Sequence, residues 1–209
     1  MLHRLEPAPG MGRFVRVCEV TRGAVVLGST QPQDDVDAAA AARAGLDVVR
    51  RRTGGGAVLV EAGALVWVDV GLPAGDPLWQ ADVGRAFWWL GEAWASALRG
   101  VGVEGASVHR GGLVETPWSR RLCFAGLGPG EVTVGGRKVV GMAQRRNRHG
   151  ALFQCAVPLR WDSARLAGVL AVGPHERSSA VEELRRGGAA LDGVEPSEVV
   201  AALVARLPR

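Results

Sequence analysis

Two stretches of this chain carry residues that could do chemistry. Arg50-Arg51-Arg52-Thr53-Gly54-Gly55-Gly56-Ala57-Val58 is a basic glycine-rich turn between strand-like segments. Three successive glycines cost chain entropy, and a connective turn needs only one or two. Their amides could form a backbone nest for an anion. The spacing fits neither a P-loop nor a dinucleotide fingerprint. The alternative is a tight turn in a glycine-rich protein, and the pattern alone leaves the two readings level. The second stretch, Gly135-Gly136-Arg137-Lys138-Val139-Val140-Gly141-Met142-Ala143-Gln144, puts one lysine in a strand-like segment. Alternation along a strand sends Lys138 and Val140 to the same face. If that face is core, the ammonium needs an anion, which a ligand phosphate would supply. An exposed strand lysine is the commoner alternative.

The remaining candidates are weaker. Cys123, before the segment 124–131, and Cys155, inside a strand, are candidate nucleophiles, although a buried inert thiol is the ordinary state of such cysteines. With Cys18 they make an odd number without metal-ligand spacing, which fits free thiols in a reducing compartment, the cytoplasm. His3, His109, His149 and His175 are far apart in sequence and read as surface or loop residues. Arg145-Arg146-Asn147-Arg148-His149 reads as a solvated turn, or as a docking point for an acidic group.

The elements that must position these residues follow from periodicity. Phe14–Val20 and Ala24–Leu27 read as strands, 35–44 as an alanine-rich helix ended by Gly45, and Leu46–Arg50 as the strand entering the glycines. Leu65–Leu72 is a strand whose Asp69 faces away from Val68 and Val70. Apolar spacing predicts an amphipathic helix over 79–98, ended by Gly100. Glu131–Val134, the Gly135–Gly136 hairpin turn, 137–144 and Ala151–Leu159 are strands. Helices are expected over 163–172, 179–186 and 197–207, the last two capped by Ser179 and Ser197. The fold class is therefore α+β, with one mixed or antiparallel sheet packed with helices.

Composition bounds the partners. The 209 residues suffice for one domain with a real core. No apolar run reaches the roughly 18–20 residues of a membrane span, and the N-terminus lacks the apolar core of a signal peptide. The formal net charge is +4, which favours acidic partners. The basic residues form no long basic helix or aromatic-interleaved platform, so neither nucleic acid nor membrane is expected.

Taken together, four stretches resemble the lipoate–protein ligase and octanoyltransferase family, which shares its catalytic fold with biotin–protein ligases. They are Ala24–Pro32 with its glutamine turn at Gln31, Val49–Val58 with the GGGAV signature, Glu131–Arg146 with the lysine signature, and Ala151–Leu159. The order and separations agree. The resemblance implies one biotin/lipoate protein ligase-like catalytic domain over residues 1–209, with a short N-terminus and no accessory C-terminal domain, leaving room for a separate accessory subunit. It implies lipoate or octanoate as substrate, activated with ATP and Mg2+ to an acyl-adenylate and passed to a lysine of an acidic lipoyl or carrier domain. Lys138 takes the family's lysine position. Arg51, Thr53, Gly54, Gly55, Gly56 and Ala57 map onto its arginine–glycine loop, Gly141 and Ala143 onto the strand after the lysine, and Glu131 onto an acidic, candidate metal-binding position.

The departures are specific. Val60 stands where the family usually has a histidine after GGGAV, and Gln154-Cys155 where another histidine is expected. Ala171-Val172-Gly173-Pro174 occupies the region of the octanoyltransferase thioester cysteine. These departures leave three expectations open: the adenylate-forming ligase, a transferase working without ATP through Cys123 or Cys155, and a non-catalytic binder of acyl ligand or carrier protein.

Overall fold

The computed structural model describes residues 6–208, so His3 lies outside the described residues. Nine strands and five helices follow in the order β1 (Phe14–Cys18), β2 (Ala24–Leu27), α1 (Ala38–Arg43), β3 (Asp47–Arg50), β4 (Val58–Val60), β5 (Leu65–Pro73), α2 (Trp88–Gly100), β6 (Ser107–Val108), β7 (Val132–Val134), β8 (Arg137–Asn147), β9 (Gly150–Pro158), α3 (Ser163–Ala167), α4 (Pro174–Gly187) and α5 (Pro196–Val204) among the described residues.

The strands build two sheets rather than the single one expected. The larger is antiparallel, in the order β1-β5-β9-β8-β7-β6. The smaller, β3-β2-β4, is mixed, with β2 parallel to β3 and antiparallel to β4. Alternation in β5 separates two cores. Val66, Val68 and Val70 join Phe153, Cys155 and Val157 of β9 under α2 and α5. Trp67 faces the other way with Ala156, toward the small sheet, α3 and α4. Both faces of β9 are covered, so all nine of its residues are buried.

Several element boundaries differ from the sequence reading. The helix expected over 79–98 begins only at Trp88, after a 3-10 turn at Arg85–Phe87. Asp82 accepts from the Arg85 amide at 2.8 Å, and the Arg146 guanidinium stacks 4.2 Å from the Trp79 ring centroid. These contacts hold 79–84 as a loop, with Val83 exposed. α1 starts at Ala38 because Asp37 caps it, accepting from the Ala40 amide at 2.9 Å. The expected serine caps are not caps: α4 and α5 begin with Pro174 and Pro196, whose fixed φ and missing N–H suit a first helical turn. α3 is short and capped by Asp162. Arg145, Arg146 and Asn147 belong to β8, so only Arg148-His149 forms the turn expected over 145–149. Among the described residues no helix is long and apolar enough to cross a membrane.

Candidate active site

The glycine loop leaves β3 and is shaped from beneath by arginine. Arg51 is buried, 2% exposed, and its guanidinium ties the loop to β2. Its Nε donates to Thr53 Oγ1 at 3.1 Å, one terminal nitrogen to the Val26 carbonyl at 3.0 Å, and the other to the carbonyls of Gly54 and Gly56 at 2.6 and 2.9 Å. Burial pushes its pKa down. Arg50 reaches the Gly28 carbonyl at 2.7 Å. Two glycines of the three are demanded, one by its backbone conformation and one by packing. Gly55 has φ +90, and a Cβ on Gly56 would stand 2.6 Å from the Leu122 amide nitrogen. Gly28 lies against the loop so closely that a Cβ there would meet the Gly55 carbonyl oxygen at 1.8 Å. The amides of Gly54, Gly55 and Gly56 take part in no turn or ladder bond among the described residues.

A polar relay runs from the loop into the large sheet. The Thr53 hydroxyl donates to Gln154 Oε1 at 2.8 Å, and Gln154 Nε2 donates to Asp69 Oδ1 at 3.1 Å. Asp69 is fully buried; it also accepts from Trp67 Nε1 at 2.9 Å and pairs with Arg16. Each polar group in the relay therefore has a partner, as buried groups require. Sequence reasoning missed Asp69 and Gln154 as site-forming residues. The available signal was a lone acid and a lone amide alternating onto the same face as Trp67.

The lysine segment closes the site from the other side. Gly135 and Gly136 both take positive φ in the hairpin turn between β7 and β8. A register shift beside Val132 and Thr133 follows, and Lys138 points inward, 2% exposed. A protein carboxylate pairs with it: Nζ donates to Glu131 Oε2 at 2.8 Å and to the Cys123 carbonyl. The Glu131 carboxylate is fully engaged, accepting also from the amides of Gly128 at 2.6 Å and Met142 at 3.0 Å. Lys138 Nζ lies 5.2 Å from the Phe124 ring centroid.

Cys123 joins the two stretches. Its amide donates to the Ala57 carbonyl at 3.1 Å, and the Ala57 amide donates to the Arg121 carbonyl at 2.8 Å. This short ladder fixes the cysteine segment directly behind the glycines. A void of about 10 Å³ is lined by Arg51 and Val58 on one side and by Cys123, Gly141, Ala143 and Gln154 on the other. Burial pushes the Cys123 thiol up; Lys138 pulls it down, Glu131 adds to the rise, and Arg51 opposes it. The remaining candidates lie apart. Cys155 faces the core under α2, fully buried, and burial holds its thiol at about 12. Val60 is buried and lines a separate cleft of about 470 Å³ with Cys18 and Val20. His109 and His149 are tied up locally, His109 with the Gly112 carbonyl and His149 with Arg148. All three cysteines are free thiols. No group of three or more His, Cys, Asp or Glu among the described residues could hold a metal ion.

Comparison with known proteins gives the family and the fold. The family described as lipoyl protein ligase A/B catalytic domain matches residues 3–206. The octanoyltransferase LipM of Moorella thermoacetica is 36% identical over 129 residues, 58% of this chain and 46% of that protein. LipM of Carboxydothermus hydrogenoformans is 33% identical over 151 residues, 72% of this chain and 54% of that protein. The chain thus spans about half the length of these curated relatives. A bi-partite lipoate protein ligase from Thermoplasma acidophilum, solved in a study of that ligase and its E2 lipoyl domain, superposes with TM-score 0.73 at 23% identity, covering 94% of this chain and 70% of that one. Ta0514 of the same organism, a putative lipoate protein ligase with bound lipoic acid, gives 0.61 at 20% identity over 94% and 82%. These structural likenesses show the α+β fold.

Proposed function

The chain belongs to the lipoyl protein ligase A/B catalytic-domain family, and we propose that it transfers an octanoyl or lipoyl group to a lysine of a carrier domain through a thioester on Cys123. The observation that carries this reading is the position of Cys123. It is laddered to Ala57, its carbonyl is held by Lys138, and it lines the void between the glycine loop and Gly141. The curated relatives named above are octanoyltransferases, which supports a transferase over a ligase. The lipoyl domain that accompanies the Thermoplasma ligase supports a carrier domain as acceptor.

In the first half-reaction the Cys123 sulfur attacks the carbonyl of an acyl thioester. A new C–S bond forms, the donor's C–S bond breaks, and the donor leaves as a thiol carrying the proton lost by Cys123. In the second, the acceptor amine attacks the enzyme thioester. An amide forms, and the Cys123 thiol regains a proton from the amine. Negative charge gathers on the carbonyl oxygen in both steps. Lys138 has three N–H donors, two of them held by Glu131 and the Cys123 carbonyl; the third is free to meet that oxygen.

The adenylate route is the second reading, favoured by the uncommitted amides of Gly54–Gly56, which suit a phosphate. The residues present do not fit the Mg2+ it would bring: Glu131 is spent on Lys138, Gly128 and Met142, and no acidic cluster stands nearby among the described residues.

Intact mass after incubation with octanoyl-loaded carrier protein separates the readings. Wild type and Cys155→Ala are expected to gain one octanoyl group, and Cys123→Ser none. An unmodified wild type with lipoate-dependent ATP–pyrophosphate exchange that is lost in Lys138→Ala would replace the thioester with the adenylate. Neither activity, with acyl ligand still bound, would leave a non-catalytic binder.

A further inference from the structure

A thioester has two limbs that leave its carbonyl in opposite directions. With the reacting carbon at Cys123, the acyl limb is assigned to the side of the void beneath the glycine loop, about 10 Å³ and walled by Val58, Trp67 and Ala156 together with Arg51 and Gln154, which must widen to take a chain. The other limb, the donor's thiol arm, must leave on the opposite side and reach solvent, where the carrier stays. Directly across Phe124 is a chamber of about 570 Å³, lined among others by Leu59, Ala62, Phe124, Arg160, Trp161 and Leu184. Phe124 follows Cys123 in the chain. Its ring packs beside Cys123 Sγ against Gly141: a Cβ on that glycine would meet the ring at 3.2 Å and the sulfur at 3.3 Å. Val58 lines both void and chamber, and Phe124, which lines the chamber, packs against Gly141 of the void's wall.

The chamber differs in character from an acyl pocket. Its mouth is exposed at Ala62 and carries a guanidinium, Arg160, whose recorded bond is to the Ala62 carbonyl at 3.1 Å. Within it, the ring of Trp161 lies 5.1 Å from that of Phe124, tilted by 59°, and Trp161 Nε1 is buried without a hydrogen-bond partner among the described residues. A buried indole N–H calls for an acceptor. An alkyl chain offers none, whereas an amide-bearing arm does. Resting on the thioester reading above, we propose that this chamber receives the linear, amide-bearing thiol arm of the acyl donor, with Phe124 swinging aside to admit it. The same passage then takes the acceptor lysine, because the arm departs before the amine arrives and both are slim, linear chains.

The test narrows the chamber without touching Cys123, Lys138 or the glycine loop. Leu59→Trp fills it and Ala62→Trp obstructs its exposed mouth. Octanoylation of Cys123 is timed by intact mass with two donors, octanoyl-loaded carrier protein and the octanoyl thioester of 2-mercaptoethanol, which lacks an arm. Both variants are expected to slow acylation from the carrier by about tenfold or more and to leave the short thioester within about twofold, which also shows that they are folded. Carrier bearing a free thiol arm is expected to compete with the acceptor domain in the second half-reaction. Equal slowing with both donors would assign the chamber to the acyl chain and overturn the proposal, as would unchanged rates with both. A wild type acylated on Cys123 by neither donor would remove the thioester reading itself and this inference with it.

Discussion

Lys138 and Glu131 are a buried pair, and their worth lies in being broken asymmetrically. Replacing Glu131 with Gln leaves a buried ammonium without its anion, which costs about 3–5 kcal/mol; Lys138→Met leaves the buried carboxylate without its cation and is expected to destabilise less, because the amides of Gly128 and Met142 still bond it. Urea midpoints of the two variants measure the difference. On the proposed role of Lys138 as oxyanion donor, function should invert the order of severity, since losing such a donor costs on the order of 10²–10³ in acylation rate. The pH dependence follows from the Cys123 thiol. Its pKa is raised in the folded protein, so at neutral pH the group is the protonated thiol and not the nucleophilic thiolate. Acylation by the short thioester should therefore rise with pH and still be climbing above 9.0, the ordinary thiol value. Lys138→Met removes a pull in the opposite direction and should move the climb further up; an unshifted profile would take Lys138 out of contact with the thiol's charge. At this scale, strand alternation put Lys138 and Val140 on one face but did not say whether that face was core, so the inward lysine stood as the less common of two readings. Its anion was legible only as an acid spaced seven positions earlier, because a sequence does not show that Met142 and Gly128 turn their amides to the same carboxylate. The two candidate cysteines looked alike because burial, which separates them, depends on which face of β9 meets α2.

At the scale of elements, the glycine loop is held by its neighbours more than by its own freedom. Gly28→Ala and Gly56→Ala each put a methyl onto backbone that cannot yield, and each should cost about 1–3 kcal/mol or more. Gly54→Ala meets nothing within 4 Å and should stay within about 0.5 kcal/mol of wild type in the same denaturation experiment. A large loss at Gly54 would mean the loop is packed differently. The strands were legible because their apolar alternation is local. The division into two sheets was not, since β2 is buried on all four residues and offers no periodicity to say which strand it pairs with. Helix starts were misread where a serine stood near a proline: the fixed φ of Pro174 and Pro196 set the first turn earlier than a serine cap would. The helix expected over 79–98 lost its first turns to side-chain contacts from Asp82 and Arg146, distant in sequence or reading equally well as helix.

At the scale of the whole molecule, the charge balance bears on how a carrier arrives. The net charge of +4 was legible from composition, but its distribution was not: Arg51 is buried in the loop and Arg165 is neutralised by Glu61, whereas Arg160 remains exposed at the chamber mouth. An acidic carrier domain is therefore attracted by a diffuse field and by few fixed pairs. Such attraction acts on encounter and is screened over a Debye length of about 10 Å at about 0.1 M salt. The kcat/KM for acylation by an acidic carrier should thus fall several-fold between about 0.05 and about 0.5 M sodium chloride. The uncharged thioester of 2-mercaptoethanol should react at nearly the same rate throughout. Because both donors end at Cys123, salt that slowed them equally would be acting on the site, and only a difference between them reports docking. Arg160→Glu should flatten the carrier's salt dependence if carriers approach at the chamber mouth, while leaving the short thioester unaffected. An unchanged salt slope in that variant would place the approach elsewhere on the surface.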